Sequence, residues 1–344
     1  MNAGRSQHPA GVRAAVARDG RVEIVSVARP ALGAGLALVR PTHALVTPFE
    51  REVARGLGRA RDGVRTLGYA FCGVVEEVDA SASATSNIGA SVVRGARVVV
   101  HPVFSCGRCD RCASGLAIHC ATREIAGFDA VAGGLCELVA VPASACVTIP
   151  KSLDESRAVF AAPLARAIEA VKRGGVARRT YASVLGDDLF AILATLVAVE
   201  ENPLARLVAT SDSTLRAAEQ FGIRHRALAE TGRRGDQELV IDVTGSAESI
   251  ATAAAMVRPR GHVVVGGISA RAPVAVDLSH LALNEVEVHG SGFGPLAGAL
   301  DRLAGGAILP DPLVSRRIGL SDAAKALALL GEPGVFSVLV QVTR

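Results

Sequence analysis

From Ser152 onward the chain changes its periodicity, and that change constrains the fold more than any other feature. Amphipathic stretches alternate with short unbroken runs of Val, Leu, Ile and Ala: ESRAVFAAPLARAIEAVKRGG, YASVLG, DDLFAILATLVAVE, ARLVAT, TLRAAEQFG, ELVIDVTG, AESIATAAAMVRPRG and HVVVGG. Runs that short and that apolar must be covered on both faces, which is the condition of a strand inside a parallel sheet. Strand and helix in strict alternation predict a doubly wound α/β sheet. Aromatic residues make up only 3 % and Trp is absent, so aliphatic side chains must fill the core.

The first 150 residues read differently. RAAVARDGRVEIVSVARP alternates in period two about Asp19-Gly20, a hairpin signal, and LALVRPTHALV from Leu36 and GYAFCGVVEEV from Gly68 are further strands. Between the last two lies a polar segment with Arg51, Arg55, Arg59, Arg61 and Arg65, expected to be a solvated loop. RVVVHPVF then leads into CGRCDRCASGLAIHC, and LCELVAVPASACVTIP closes a β-rich unit near Pro150. After VEVHGSGFG come two helical stretches and a strand, VFSVLVQV, expected to return to the first unit. The division is thus residues 1–151 with 293–344, and residues 152–292. A chain of 344 residues exceeds the span of one core.

Cys106, Cys109, Cys112 and Cys120 are spaced C-x2-C-x2-C-x7-C. Four thiolates at that spacing converge on one tetrahedral zinc, with Gly107 and Gly115 allowing the tight turns. The expectation is one structural zinc per chain, in a lobe of about residues 104–122, with no ligand position left for water. A disulfide framework is disfavoured by seven cysteines, an odd number, and by an opening segment without a secretory pattern. A charge of +4 from 37 basic and 33 acidic residues leaves no nucleic-acid footprint, and no apolar run reaches the roughly 20 residues of a membrane span. The expected setting is cytoplasmic, with a small-molecule substrate.

The order of β-rich unit, four-cysteine lobe, doubly wound unit and returning strand resembles the medium-chain dehydrogenase/reductases, in the zinc-containing alcohol, polyol and glucose dehydrogenase branch. RVVVHPVFSCGRCDRC, APLARAIEAVKRGGV and IDVTGSAESIATAAAMVRPRGHVVVGGIS carry the likeness. It implies a GroES-like domain with a structural zinc lobe beside a Rossmann-type domain, and a homodimer or tetramer, with VEVHGS as a sheet edge. It also implies a catalytic zinc, whose ligand positions fall at Val46, at Gly68-Tyr69-Ala70 and at Ala162, none of which offers a donor. Replacement donors in the same cleft are Tyr69, His43 and Thr47; the alternative for Tyr69 is a core-filling phenol.

For the nicotinamide cofactor the resemblance implies Gly186, Asp188 and Ala191 in the G-x-G-x-x-G positions, Asp212 near the ribose, and Thr244, Gly245, Gly266 and Gly267 on the rim. Asp188 sets a carboxylate where a pyrophosphate should lie, a repulsion of about 4 kcal/mol at 4 Å and an effective dielectric of 20. Asp188 can instead cap the following helix, and Asp212 can cap one beginning at Thr214. The leading expectation is a metal-free NAD(P)-linked oxidoreductase. A non-redox cyclase, isomerase or lyase, and a catalytically silent partner protein, are the alternatives.

Overall fold

The computed structural model describes residues 11–18, 20–57, 65–80, 92–129, 132–231, 235–269 and 278–343. Arg59, Arg61 and Asp19 lie outside them.

In the first unit the strands are β1 (Val12–Arg18), β2 (Arg21–Val27), β3 (Leu36–Val46), β4 (Arg65–Thr66), β5 (Ala70–Val78), β6 (Arg97–Val100), β7 (Val103–Phe104), β8 (Glu124–Ile125), β9 (Val139–Pro142) and β10 (Cys146–Thr148). β1 and β2 form the expected antiparallel hairpin, with Gly20 at φ +77° in the turn. A main sheet runs β10-β6-β5-β3, with β9 also on β3.

The Arg-rich segment is not simply a loop. Helix α1 (Pro48–Ala54) occupies its start and carries Arg51. Thr47 caps it, Pro48 sits at its first turn, and Glu50 reaches back to complete a capping box. α2 (Asp110–Ala113) belongs to the cysteine lobe, which hangs from the β7–β8 pair.

The second unit begins with α3 (Glu155–Ala158) and α4 (Ala161–Gly174). It continues with β11 (Ala182–Leu185), α5 (Leu189–Glu201), β12 (Arg206–Ala209), α6 (Asp212–Gln220), β13 (His225–Ala227), α7 (Leu228–Thr231), β14 (Gln237–Asp242), α8 (Ala247–Met256), β15 (Val257–Val265), α9 (Leu278–Leu283) and β16 (Glu287–Gly290). Its six strands are all parallel in the order β13-β12-β11-β14-β15-β16. Every residue of β11 is buried, as a strand covered on both faces must be. The sequence places VRPRG on the helix before β15, whereas the β-branched Val257 already opens the strand.

After α10 (Leu296–Ala304) the chain forms β17 (Arg316–Gly319), α11 (Ala326–Leu329) and β18 (Val338–Gln341). β18 pairs antiparallel with β3, Gln341 opposite His43, so the last strand joins the sheet of the first unit. One apolar cluster runs from β3 and β5 through Phe49, Tyr69 and Phe160 to α4, α5 and Phe293, and so spans both units. The strand order of the second sheet reverses between β11 and β14, and the crevice beyond their C-terminal ends is where such sheets bind ligands.

Candidate active-site cleft and zinc lobe

The short spacers of the cysteine lobe bring its four thiols together. Sγ of Cys109 lies 3.5 Å from Cys112 and 3.8 Å from Cys120, and Cys120 lies 3.5 Å from Cys106. A zinc with four Zn–S bonds of about 2.3 Å has S–S edges of about 3.8 Å, so the cage fits that ion with hardly any adjustment. The Cys106 amide also points at Cys120 Sγ, 3.4 Å away, and supports a thiolate there. A zinc held by all four thiolates would supply tetrahedral cross-linking and leave no open coordination position.

The larger feature is a cavity of about 540 Å³ between the units, at the switch point of the parallel sheet. Thr47, Phe49 and Arg51 from the start of α1 line one side, Pro163 and Arg166 from α4 the floor, and Leu185, Asp187, Asp188, Val243 and Thr244 the far end. Tyr69 lies just before β5 and lines the cavity too.

Val46, Tyr69 and Ala162 are each about 1 % exposed. The Tyr69 ring packs on Phe49, centroids 4.6 Å apart, and faces Phe293 at 6.2 Å. Burial pushes its phenol up to about 12; the Arg166 charge and hydrogen bonds with Arg166 and Thr47 pull the other way. Tyr69 is therefore both core filler and cavity wall. Thr47 is chiefly the cap of α1: its hydroxyl donates to Glu50 Oε2 at 2.8 Å and accepts from the Phe49 amide at 3.2 Å. His43 does not line the cavity. It joins Thr42 (3.3 Å) and Glu155 (3.7 Å) instead.

Two residues that the sequence did not single out occupy the cleft. Arg166 stands one helical turn beyond Ala162, so the i, i+4 spacing directs it to the same face of α4. It is 5 % exposed, its guanidinium lies 4.5 Å from the Phe190 ring centroid and about 5.5 Å from those of Phe49 and Phe293, and Nη2 donates to the Gly266 carbonyl at 3.1 Å. Its Nε has no hydrogen-bond partner. An arginine in an otherwise apolar helical stretch was the available signal.

Glu50, 1 % exposed, accepts from the Thr47 amide and hydroxyl and from the Tyr69 amide at 3.2 Å. Burial dominates, and its carboxyl rises from 4.5 to about 7. The folded form thus keeps a proton that the unfolded chain has lost, so stability is fully present below about pH 4.5 and drains away as pH rises through 7. The loss amounts to about 3 kcal/mol at most. Urea unfolding between pH 5 and 8 should show this slope, and Glu50→Gln should flatten it whatever its effect on absolute stability.

At the nucleotide end, Gly186 follows β11, and a Cβ there would meet Val243 at 2.5 Å. Asp188 is the N-cap of α5, accepting from the Ala191 amide at 3.0 Å. Burial raises its carboxyl above the usual range, with the Ala191 amide and the Arg166 charge opposing. Asp187 reaches across to the end of β12 and accepts from the amides of Thr210 (2.8 Å) and Ser211 (2.7 Å). Two groups of donors on which phosphate or ribose oxygens would rest are thus held by the protein's own carboxylates. Asp212 is exposed and opens α6, two residues earlier than expected, with Ser211 as the cap. It does not line the cavity.

The rim is preserved. Thr244 donates to the buried Asp242 at 2.9 Å, Gly245 takes φ +71°, Gly266 packs on Phe190, and a Cβ on Gly267 would stand 2.0 Å from the Gly245 nitrogen. A dinucleotide fits this rim, but its phosphates fit only once the two carboxylates leave the amides they hold.

Residues 33–151 match the alcohol dehydrogenase GroES-like domain. The chain is similar to dehydrogenases beyond that domain as well. It is 26 % identical to sorbitol dehydrogenase of Arabidopsis thaliana over 275 residues, 74 % of this chain and 73 % of the relative. A protein of Sinorhizobium meliloti 1021 solved with NADP bound shares 26 % identity and a TM-score of 0.83, over 96 % of this chain and 99 % of that one. A thermostable alcohol dehydrogenase of Pyrobaculum aerophilum, solved with cobalt and zinc, shares 26 % and 0.81 over the same proportions. The described residues of the cleft gather no set of metal donors. Among the described residues only the four thiols and the group His262, Glu287 and His289 bring three or more ligand atoms within 4.8 Å of one another.

Proposed function

We propose that the chain is a metal-independent, NAD(P)-linked oxidoreductase acting on a small carbonyl-bearing metabolite. The observation that carries this reading is Arg166, a buried cation with a free Nε, beside ligand positions that Val46, Tyr69 and Ala162 leave without donors. A dehydrogenase must stabilise the negative charge that collects on the substrate oxygen, work a zinc Lewis acid otherwise does. A fixed guanidinium in a site dried by Phe49, Phe190 and Phe293 supplies the same sign of charge with no reorganisation. Tyr69 keeps its proton at neutral pH, lines the cavity and would donate that proton to the substrate oxygen. A nicotinamide, when bound, supplies the hydride. The sorbitol and alcohol dehydrogenase relatives support the reaction class.

No helix among the described residues is long and apolar enough to cross a membrane. The edge position of β16, with Val288 47 % exposed, supports assembly through that strand.

The test is reduction of a panel of small ketones and aldehydes with NADPH or NADH in the presence of chelator. Arg166→Leu should lower kcat by about 10²–10³ with little change in KM, the cost of removing one oxyanion donor, and Arg166→Lys should keep part of it. Equal turnover in Arg166→Leu would remove the basis of this reading.

A second reading, a non-redox isomerase, cyclase or lyase, is favoured by the carboxylates of Asp187 and Asp188 on the phosphate-binding amides. The same Arg166 and Tyr69 would then stabilise an enolate. Absence of any nicotinamide binding separates the two.

A further inference from the structure

We propose that His262, Glu287 and His289 form a second metal site, for zinc or another first-row divalent ion, at the outer edge of the parallel sheet. The three residues come from neighbouring strands. The register of β15 and β16 sets His262 opposite Glu287 and Val264 opposite His289. Glu287 and His289 are two apart, so the pleat turns them to one face of the edge strand.

His262 Nδ1 lies 3.4 Å and His289 Nε2 3.1 Å from the same Glu287 Oε2. Zinc with bonds of about 2.0–2.1 Å to nitrogen and oxygen has ligand-to-ligand edges of about 3.3 Å in tetrahedral geometry. Both measured edges lie close to that length. The two imidazole rings are stacked, with centroids 5.8 Å apart and planes 17° from parallel, so both nitrogens face the carboxylate together.

Two imidazoles and a carboxylate suit zinc, cobalt, nickel or copper, and discriminate against magnesium and calcium, which prefer oxygen alone. Glu287 is 61 % and His289 32 % exposed on the side chain, so a fourth position opens to solvent. The Arg179 charge reaches His262 and opposes a further cation there. An ion held there, on the face of the sheet rather than at the backbone edge, would tie β16 to β15, its one partner strand among the described residues. The site is separate from the cleft and does not depend on the reaction assigned to it.

Protein with its thiolate site filled with zinc, after equilibrium dialysis against micromolar Zn²⁺ or Co²⁺, should take up one further ion per chain. Bound Co²⁺ should show the weak visible bands of nitrogen and oxygen ligands, without the strong thiolate charge-transfer absorption. His289→Ala and the isosteric Glu287→Gln should each lower this affinity by roughly tenfold or more and keep the thiolate-bound zinc. Added Zn²⁺ should raise the melting temperature of the native protein and not that of either variant. No further ion, or equal uptake by both variants, would overturn the assignment.

Discussion

Cys109→Ser is expected to purify without zinc in its lobe, and the native chain with one ion at that site. The reason lies in how little else holds the lobe. Neither α2 nor the short 3₁₀ turn Ala117–His119 buries a single residue, so the segment has no apolar core with which to offset its own ordering entropy. Cys109 heads α2 yet makes no side-chain cap bond there, which leaves its thiol for the metal. Structural zinc contributes about 10–16 kcal/mol in small zinc domains, and that binding energy is folding energy. Loss should be confined to the lobe, because its supports β7 and β8 are packed into the main core through Val103, Phe104 and Ile125. Hydrogen exchange should rise across residues 105–121 and stay unchanged in β11 and β14. Full retention of zinc by the variant would contradict the four-thiolate cage.

Asp188→Gly is expected to tighten nicotinamide cofactor binding, from a weak native affinity, by about a hundredfold or more. Asp188 now caps α5 at 3.0 Å from the Ala191 amide, with Asp187 next to it holding the Thr210 and Ser211 amides. A pyrophosphate entering that site meets both a side chain and a like charge, worth about 4 kcal/mol at 4 Å and a dielectric of 20. Removing the carboxylate frees the helix N-terminus for an anion. Glycine is itself a tolerated N-cap, so the variant should lose only a few tenths of a kcal/mol of stability, on the order of 0.3 kcal/mol, and a fluorescence titration with NADH and NADPH reads the gain directly. Low-micromolar binding by the native chain would show that the carboxylate swings aside unaided. No binding by either form would leave the non-redox reading.

The fold was legible because burial on two faces leaves a plain mark: Ala182–Leu185 and Leu239–Ile241 are unbroken apolar runs with helical stretches between them. The gathering of four thiols was legible because they are local, fifteen residues from Cys106 to Cys120. Helix α1 was missed because five arginines drew the reading toward a solvated loop, although Thr47, Pro48 and Glu50 spell a capped helix start. The cleft was only partly legible. Tyr69 and Thr47 do line it, and His43 and Asp212 do not. Arg166 escaped notice because what makes it unusual, three rings drawn from Phe49, Phe190 and Phe293, is assembled from segments more than 200 residues apart. The hold of Asp187 on Thr210 and Ser211 is likewise a product of parallel pairing between β11 and β12.

That the cleft works without a metal is tested most directly by anomalous scattering on either side of the zinc absorption edge, from crystals of protein purified without chelator. The account predicts a strong peak inside the cage of Cys106, Cys109, Cys112 and Cys120, and none in the cavity lined by Thr47, Tyr69, Pro163 and Arg166. A zinc peak in that cavity would contradict it.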